Sequence, residues 1–482
     1  MMSFFPRHWI RGCGVGLLIS LLWLNPVQAR ILGDSRDGEV LVRLNPVSGA
    51  TIADINTTFG TTTLEAVPGV PNLYRLRVPD GQDATTLAAT MTADIRLLYA
   101  HVNHISRPPE ADPRGSRAWG GPDPTPYHNQ YAGAMLGLAE AHAITKGAGV
   151  VVAILDTGVQ LDHPALSAAW TTARYDFVNN DPTPEDTANG IDDDGDTLID
   201  ETVGHGTHIA GIVLYVAPEA KIMPVRVLDS DGSGDDVMIA KGIDYAVNNG
   251  ANVINLSLGT SDKSDVLDDA IHRATANGVF VVSAAGNENT QTIQFPAAAN
   301  CSVGITSVGP SDVKSSFSNY GSWVDLSSPG ESIYSALIPS GYGWWSGTSM
   351  ATPFVAGQAA LLKAIRPSLT AYDIAALMRD TAKDIRDQND GTDLGRGRIQ
   401  IGASVTRLNQ GGILPDSGGL ISSSCLVGEP AGTATPTPRV PTATAIASIT
   451  ATVTVPVTVI ATPKPSATPN LSIRVRLPLV WR

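Results

Sequence analysis

The stretch GHGTHIAGI, residues 204–212, places two histidines three positions apart at the start of an apolar run. A zinc site of the common helical type needs histidines four positions apart with a glutamate between them, and that glutamate is missing here. His205 lies between two glycines at the expected helix entrance, where an imidazole can serve as a general base. We therefore interpret His205 as the base and His208, one helical turn further on, as a packing residue.

Two other polar residues could act together with an imidazole. Asp156 ends the apolar stretch GVVVAILD, where a buried carboxylate is unfavourable unless it is paired. Ser349 opens a predicted helix in SGTSMATPFVAG, and a serine hydroxyl becomes a nucleophile only when a neighbouring base accepts its proton. Turn formation by Asp156 and helix capping by Ser349 are the alternative, purely structural roles.

The segments that must position these residues alternate between apolar runs and helical patterns. Buried strands are predicted at 149–156, 221–229, 252–259 and 278–287, and helices at 235–250 and 264–278. Buried strands joined by helical crossovers indicate an α/β fold, with a doubly wound parallel sheet and helices on both faces. Ligands bind at the carboxyl ends of such strands, so the residues that follow each strand are the candidates for function.

The upstream region, residues 30–112, has a different pattern. Strands are predicted at 39–44, 72–78 and 95–102 and helices at 49–60 and 83–94. This order is compatible with a small ferredoxin-like α+β layout. The residues that follow, 107–126, are rich in proline and glycine and therefore predict a linker.

The order Asp156, His205, Ser349, within the motifs DTGV, GHGTHIAG and GTSMATP, resembles that of the subtilisin-like serine proteases, or subtilases. The resemblance covers about residues 130–408. It implies a subtilisin-like sheet preceded by an inhibitor-type propeptide. It also implies that Ser349 attacks the scissile carbonyl, that His205 takes the serine proton, and that Asp156 orients the imidazole.

The same resemblance implies roles for residues that follow other strands. Asn287 matches the side chain that donates a hydrogen bond to the oxyanion, beside the backbone N–H of Ser349. Two glycine-containing edges match the segments that bind an extended substrate backbone as an added β-strand. These edges comprise Ser257, Leu258, Gly259, Gly232, Ser233 and Gly234.

The loop NGIDDDGDTLIDE, residues 189–201, carries a separate signal. Asp192, Asp194, Asp196 and Asp200 surround Gly195, an arrangement typical of tight loops that give oxygen ligands to hard cations. Similar insertions in subtilases look like calcium loops, so the resemblance implies a structural Ca²⁺ ion. A solvated acidic loop without an ion is the alternative.

Composition and the N-terminus indicate the class of partner and the compartment. A formal net charge of −14 argues against a nucleic-acid partner. Residues 1–29 combine a basic start, an apolar run and small residues at their end, the layout of a secretory signal peptide; an uncleaved membrane anchor is the alternative. Cys301 and Cys425 remain after removal of that peptide, either as one disulfide or as two unpaired thiols.

The expected division of the chain has four parts. They are a signal peptide (1–29), a propeptide or inhibitor domain (30–112), a peptidase domain (113–408) and a Thr/Pro-rich low-complexity tail (409–482). The tail predicts an extended stalk, through which the exported protein would associate with a cell surface. No segment after the signal peptide has the length and apolar character of a membrane span.

These observations predict a secreted serine endopeptidase that cleaves proteins or peptides through an acyl-enzyme intermediate. It would be a monomer, made as a precursor, inhibited by its own propeptide and processed by itself. The alternative from another class is a catalytically inactive subtilase-like scaffold that acts as a cell-surface binding protein. The complete set of catalytic residue types, together with Asn287, argues against that alternative.

Overall fold

A computed structural model describes residues 35–111, 117–193, 197–412 and 420–427. The expected signal peptide, the Thr/Pro-rich part of the tail, and Asp194 and Asp196 of the acidic loop lie outside these residues. Within the described ranges, no helix combines the length and the apolar character needed to cross a bilayer.

The described residues form fifteen strands and eleven helices. The strands are β1 (Ser35–Leu44), β2 (Thr62–Ala66), β3 (Leu73–Arg77), β4 (Leu97–Ser106), β5 (Trp119–Gly121), β6 (Val151–Asp156), β7 (Tyr175–Asp176), β8 (Lys221–Arg226), β9 (Gly234–Asp235), β10 (Val253–Leu256), β11 (Phe280–Ala284), β12 (Val303–Val308), β13 (Leu326–Pro329), β14 (Ile333–Leu337) and β15 (Gly341–Trp345). The helices are α1 (Ile52–Phe59), α2 (Ala84–Thr92), α3 (Thr125–Asn129), α4 (Tyr131–Leu136), α5 (Leu138–His142), α6 (His205–Val216), α7 (Asp236–Asn248), α8 (Asp265–Ala276), α9 (Thr348–Ile365), α10 (Ala371–Thr381) and α11 (Ile401–Asn409).

Residues 35–106 form a small α+β unit, which we call the N-terminal unit. Its strands lie in the order β2-β3-β1-β4, and every neighbouring pair is antiparallel. With α1 and α2 between the strands, this is a ferredoxin-like arrangement that has one strand more than the sequence predicts. The sequence does not predict β2, because TTLEA contains one large apolar residue and none of its positions is buried.

Seven strands form the central sheet of the main body, which we define as residues 117–412. Their order is β13-β12-β11-β10-β6-β8-β7, and every neighbouring pair is parallel. All residues of β10 and β11 are buried, which explains their nearly continuous apolar sequences. Helix α6 packs against α9 and α7 packs against α8, so that helices flank the sheet. The predicted α/β fold with a doubly wound parallel sheet is confirmed.

The N-terminal unit is joined to the main body through its last strand. The end of β4 pairs with β9 in antiparallel fashion, so the sheet of the N-terminal unit continues onto the main body. Polar contacts flank this strand pair: Arg43 forms an ion pair with Asp269, and the hydroxyl of Tyr99 donates to the same carboxylate at 2.8 Å. The N-terminal unit therefore lies against the first turns of α7 and α8.

Cys301 and Cys425 form a disulfide, which decides between the two alternatives that the sequence leaves open. The bond ties residues 420–427 to the main body, and Leu420 and Ile421 are buried in the same apolar cluster. The folded part of the chain thus extends past the boundary expected at residue 409. Composition alone assigns these residues to the tail, whereas the disulfide and the two apolar side chains attach them to the core.

Candidate active site

Strand β6 ends at Asp156, and helix α6 begins at His205. Nδ1 of His205 lies 2.8 Å from Oδ1 of Asp156, and both side chains are buried. The same carboxylate oxygen accepts a hydrogen bond from the backbone N–H of Thr157 at 2.8 Å. The carboxylate at the end of this buried strand is therefore paired, as its burial requires.

A second buried carboxylate holds the end of β6 against the start of α6. Asp186 accepts hydrogen bonds from the hydroxyl of Thr157 and the backbone N–H of Gly204, each at 2.8 Å. The Thr157 hydroxyl oxygen in turn accepts from the N–H of Gly206 at 3.1 Å. Burial raises the pKa of Asp186 to about 7, although both donors act to lower it. Sequence reasoning does not single out Asp186, because its partners become neighbours only on folding.

Ser349 is the second residue of α9. Its Oγ donates a hydrogen bond to Oε2 of Glu110 at 2.5 Å and lies 3.2 Å from the carbonyl oxygen of Ser257. Nε2 of His205 lies 3.4 Å from the same Glu110 oxygen. The structure therefore brings Ser349 to the Asp–His pair, but the serine and the imidazole both contact Glu110, which lies between them.

Asn287 follows β11 and contacts the other oxygen of that carboxylate. Its Nδ2 donates to Oε1 of Glu110 at 2.9 Å. Its Oδ1 accepts from both the backbone N–H and the hydroxyl of Thr348, each at 3.0 Å. These two hydrogen bonds orient the amide so that its NH₂ group points at Glu110. The Glu110 carboxylate is thus shared among a hydroxyl, an imidazole and an amide.

The two histidines of the opening motif have opposite electrostatic environments. Burial acts to lower the pKa of His205, but Asp156 and Glu110 stabilise the imidazolium and together raise the pKa to about 10. Burial lowers the pKa of His208 to about 3, and its Nε2 lies 3.1 Å from the carbonyl of Gly343. His208 is therefore a neutral residue held by packing and by one local hydrogen bond.

Both predicted substrate-binding edges pair with the chain that leads to Glu110. Arg107 and Gly259 exchange two backbone hydrogen bonds, of 3.0 and 2.9 Å. One residue earlier, Ser106 is the antiparallel partner of Gly234. Ser106, the last residue of the N-terminal unit, and the following Arg107 thus occupy these edges as an added β-strand, the arrangement by which an extended peptide is bound at a sheet edge.

The remaining residues of the two edges support this arrangement indirectly. The hydroxyl of Ser257 donates to the carbonyl of Ser349 at 3.0 Å, and Leu258 is fully buried. Gly232 adopts a left-handed φ of 86°, and the N–H of Ser233 donates to Asp229 at 2.7 Å. Gly232 and Ser233 form the turn that presents β9 to the added strand.

Sequence reasoning does not identify Glu110, although its carboxylate is the group around which the predicted residues gather. Glu110 lies in a short 3-10 turn, Pro109–Ala111, inside the region predicted as a linker. A glutamate in a proline-rich linker is usually exposed, whereas Glu110 is only 5% exposed. Its burial results from the pairing of β4 with β9, which sequence patterns do not reveal.

Within the acidic loop, the structure describes Asp192 and Asp200, whereas Asp194 and Asp196 are outside the described residues. Asp200 accepts hydrogen bonds from two loop N–H groups at 2.8 and 2.9 Å, and Asp192 accepts one from Thr197 at 3.0 Å. Among the described residues, no three carboxylates of the loop have oxygen atoms within 4.8 Å of one another.

Two further carboxylates lie next to this loop. Asp231 accepts hydrogen bonds from the backbone N–H groups of Asp193 and, at 2.6 Å, of Asp200. Burial, with smaller contributions from the charges of Asp193 and Asp231, raises the pKa of Asp229 to about 6. The side chains of the loop and its neighbours offer only oxygen atoms as metal ligands, and their carboxylates are negatively charged. Both properties fit a hard cation such as Ca²⁺.

Known proteins share this sequence pattern. A sequence profile described as the Subtilase family matches residues 147–400. Thermitase from Thermoactinomyces vulgaris is 41% identical over 293 residues, which cover 59% of this chain and 98% of thermitase. Subtilisin BL from Lederbergia lenta is 38% identical over 252 residues, which cover 50% of this chain and 87% of that protein.

Solved structures share the fold. A protease from Pseudoalteromonas arctica PAMC 21717 is 33% identical with a TM-score of 0.51, covering 56% of this chain and 93% of its own. Fervidolysin from Fervidobacterium pennivorans, a keratinolytic enzyme related to subtilisin, has a TM-score of 0.62 at 23% identity, covering 80% of this chain and 63% of its own. The profile match spans most of the main body and thermitase is matched over nearly its whole length, and this chain therefore belongs to the subtilase family.

Proposed function

We propose that the chain is a secreted serine endopeptidase, made as a precursor, that hydrolyses peptide bonds with Asp156, His205 and Ser349. The observation that supports this best is that three different groups contact one carboxylate, that of Glu110, at 2.5 to 3.4 Å. An anion site beside a hydroxyl and a carboxylate-paired imidazole contains the parts that acyl transfer needs.

In the proposed reaction, Oγ of Ser349 attacks the scissile carbonyl carbon while its proton passes to Nε2 of His205. Asp156 accepts the Nδ1–H hydrogen bond and stabilises the imidazolium that forms. The carbonyl oxygen becomes negatively charged and accepts hydrogen bonds from Nδ2 of Asn287 and from a backbone N–H at the start of α9. The C–N bond then breaks, and the leaving amine takes the proton from His205.

Hydrolysis of the acyl-enzyme uses the same groups with water in place of the amine. His205 takes a proton from water, the water oxygen attacks the ester carbonyl, and Ser349 leaves with the proton that His205 returns. A substrate backbone would take the place of the added strand along Gly234 and Gly259. These contacts involve backbone atoms, so extended protein or peptide segments of varied sequence fit the edges.

Glu110 accounts for the proposed latency of the precursor. The added strand carries the chain to the site, and the Glu110 carboxylate takes the position beside Ser349 and Asn287 that a substrate carbonyl would need. A carboxylate has no amine leaving group and is a poor electrophile, so it occupies the site without being cleaved there. We therefore assign residues 30–112 to a propeptide that inhibits the main body until the chain is cut.

The remaining parts of the chain follow from the same proposal. Residues 1–29 would direct export, and residues 113–408 would form the peptidase domain. The tail begins at residue 409 and includes the disulfide-linked segment 420–427. Beyond that segment it would form a stalk that holds the enzyme at a cell surface. We also propose that the enzyme acts as a monomer.

We also propose that the acidic loop binds a structural Ca²⁺ ion. The oxygen ligands would come from Asp192, Asp194, Asp196 and Asp200. Calcium prefers carboxylate and carbonyl oxygens, and the neighbouring carboxylates Asp229 and Asp231 add negative charge that a cation would offset. The bound ion would hold residues 189–201 in one conformation just ahead of His205.

Replacing Ser349 by alanine should abolish peptide hydrolysis and leave the folded precursor uncleaved. Loss of the nucleophile prevents formation of the acyl-enzyme, which typically lowers kcat by roughly 10⁴-fold or more. Hydrolysis of a protein substrate and labelling by a fluorophosphonate, which reacts with activated serines, measure the effect. Ser346→Ala should retain both activities. Failure of the unmutated, processed chain to react with the probe would favour the inactive scaffold.

Replacing Glu110 by alanine should open the site before the chain is cut. Charge-assisted hydrogen bonds are worth about 1.5–3 kcal/mol each, so we expect the intact precursor to react with a fluorophosphonate at least about tenfold faster. The precursor and the processed chain separate on a denaturing gel, which shows which form is labelled. Asp80→Ala, which changes an exposed acidic residue of the N-terminal unit, is the control. Equal labelling of both precursors would contradict the blocking role.

The pKa of His205 should fall when Glu110 is neutralised. In the uncleaved Ser349→Ala chain, two carboxylates favour the imidazolium, and Glu110→Gln removes one of them. Nitrogen NMR of the imidazole measures the titration. The folded pKa of about 10 lies above the ordinary 6.5. The interactions of the imidazolium with Asp156 and Glu110 therefore stabilise the precursor fully below pH of about 6.5 and progressively less toward pH 10. An identical titration of His205 in both chains would contradict the contact between Glu110 and the imidazole.

Calcium should raise the unfolding temperature through the acidic loop. A ligand at a hundred times its Kd adds about 2.7 kcal/mol to the free energy of unfolding. Calorimetry of the inactive Ser349→Ala chain, with calcium or with a chelator, avoids self-digestion. The further substitutions Asp194→Ala and Asp196→Ala should remove the difference, whereas Asp387→Ala, an exposed residue outside the loop, should keep it. A calcium effect unchanged in the loop variant would locate the ion at another site.

A further inference from the structure

Three side chains of metal-binding type meet where the N-terminal unit lies on the main body. His101 and His104 belong to β4, and Asp236 is the first residue of α7. Each offers one ligand atom, and these atoms lie within 4.8 Å of one another. The proposed catalytic reaction uses none of them, so the cluster needs a separate explanation.

Each of these side chains has a buried polar atom that lacks a hydrogen-bond partner among the described residues. The atoms are Nε2 of His101, Nδ1 of His104 and Oδ1 of Asp236. Asp236 is fully buried, and His104 is 9% exposed. Leaving a buried polar atom without a partner is unfavourable, so one such atom on each member of the cluster indicates a ligand that the three residues share.

The hydrogen bonds that do form leave lone pairs for that ligand. Nδ1 of His101 lies 2.7 Å from the carbonyl oxygen of Val102, so Nδ1 carries the proton and Nε2 the lone pair. A backbone carbonyl in this position is the usual outer partner of a metal-binding histidine. The backbone N–H of His104 donates to Oδ2 of Asp236 at 3.2 Å, which leaves Oδ1 for another partner.

The charges around Asp236 favour a cation over a water molecule. Asp236 is fully buried, and the carboxylates of Asp235 and Asp262 lie near enough to repel its negative charge. Oδ2 of Asp262 lies 4.0 Å from Nδ1 of His104. A water molecule would supply hydrogen bonds but no charge, whereas a divalent cation would also offset the buried carboxylate.

We propose that His101, His104 and Asp236 bind one divalent transition-metal ion, with Zn²⁺ the best match, between the N-terminal unit and the main body. Two imidazole nitrogens and a carboxylate oxygen suit Zn²⁺, whereas Ca²⁺ and Mg²⁺ prefer oxygen ligands alone. The rings of His101 and His104 are stacked with their centroids 5.4 Å apart, so Zn–N bonds of about 2.0–2.1 Å, which lie in the plane of each ring, require a ring to rotate and the ligand atoms to move closer. Water or the carboxylate of Asp262 completes the tetrahedron.

The position of the site gives the ion a regulatory consequence, which rests on the function proposed above. Two ligands belong to the N-terminal unit and the third to the main body, so the full ligand set exists only while the two are docked. An ion that binds the docked state and not the separated parts stabilises docking by mass action. Zn²⁺ should therefore slow the departure of the cut propeptide, and chelation should speed it.

The test uses the full-length Ser349→Ala chain, purified without a histidine tag and stripped of metal. Titration with Zn²⁺ by calorimetry should show one ion bound per chain, and Co²⁺ should give the intense visible absorption of a tetrahedral site. His104→Ala and Asp236→Asn should each weaken Zn²⁺ binding at least tenfold. His128→Ala, which changes an exposed histidine of the main body, should bind as the parent chain does.

Two outcomes would overturn the proposal: absence of stoichiometric binding to the folded parent chain, or equal binding by the His104→Ala, Asp236→Asn and His128→Ala chains. Circular dichroism of each variant checks folding, and the Co²⁺ spectrum of the parent chain needs no variant at all. Because metal binding is measured on the inactive chain, its failure leaves the proposed peptidase activity untouched. Conversely, an inactive wild-type chain that still binds Zn²⁺ at this site would refute only the proposed function.

Discussion

The arrangement of the site depends on one carboxylate that lies at the end of a buried strand. A buried carboxylate that loses its charged partner costs about 3–5 kcal/mol, so the bond from Asp156 to His205 holds the start of α6 beside β6. Gly204, with a φ of 94°, lets the chain enter the helix at that point. Because neighbouring parallel strands end at the same edge, β10 and β11 bring Ser257 and Asn287 to the same place.

The groups that would stabilise a reacting oxyanion also make the site a good receptor for any carboxylate. The carboxylate of Glu110 binds to these groups, and the absence of a side chain at Gly347 leaves space for it. A Cβ atom at position 347 would lie 1.4 Å from Oε1 of Glu110 and 3.0 Å from Nδ2 of Asn287. The backbone of Gly347 is extended and open to any residue, so space rather than conformation requires glycine. The proposed catalysis and the proposed self-inhibition therefore rest on the same few atoms.

Sequence patterns predict the parts of this structure that are set locally. Buried parallel strands appear as apolar runs, and the three motifs indicate which polar residues follow them. What the sequence does not predict depends on long-range placement. Glu110 is buried only because β4 pairs with β9, and residues 420–427 join the core through a disulfide to Cys301. The cluster of His101 with Asp236 likewise forms between residues 135 positions apart in sequence.

The covalent continuity of β4 with the residues that follow it changes how the proposed inhibition would depend on dilution. While the chain is intact, the added strand and Glu110 are tethered to the site, and short tethers give effective concentrations of about millimolar. Dilution into the medium cannot lower that value. Once the tether is cut, the N-terminal unit becomes an ordinary ligand whose occupancy falls with its bulk concentration. A cell that exports the proposed enzyme would thus keep it inhibited where its concentration is high, and the enzyme would become active as it is diluted in the medium.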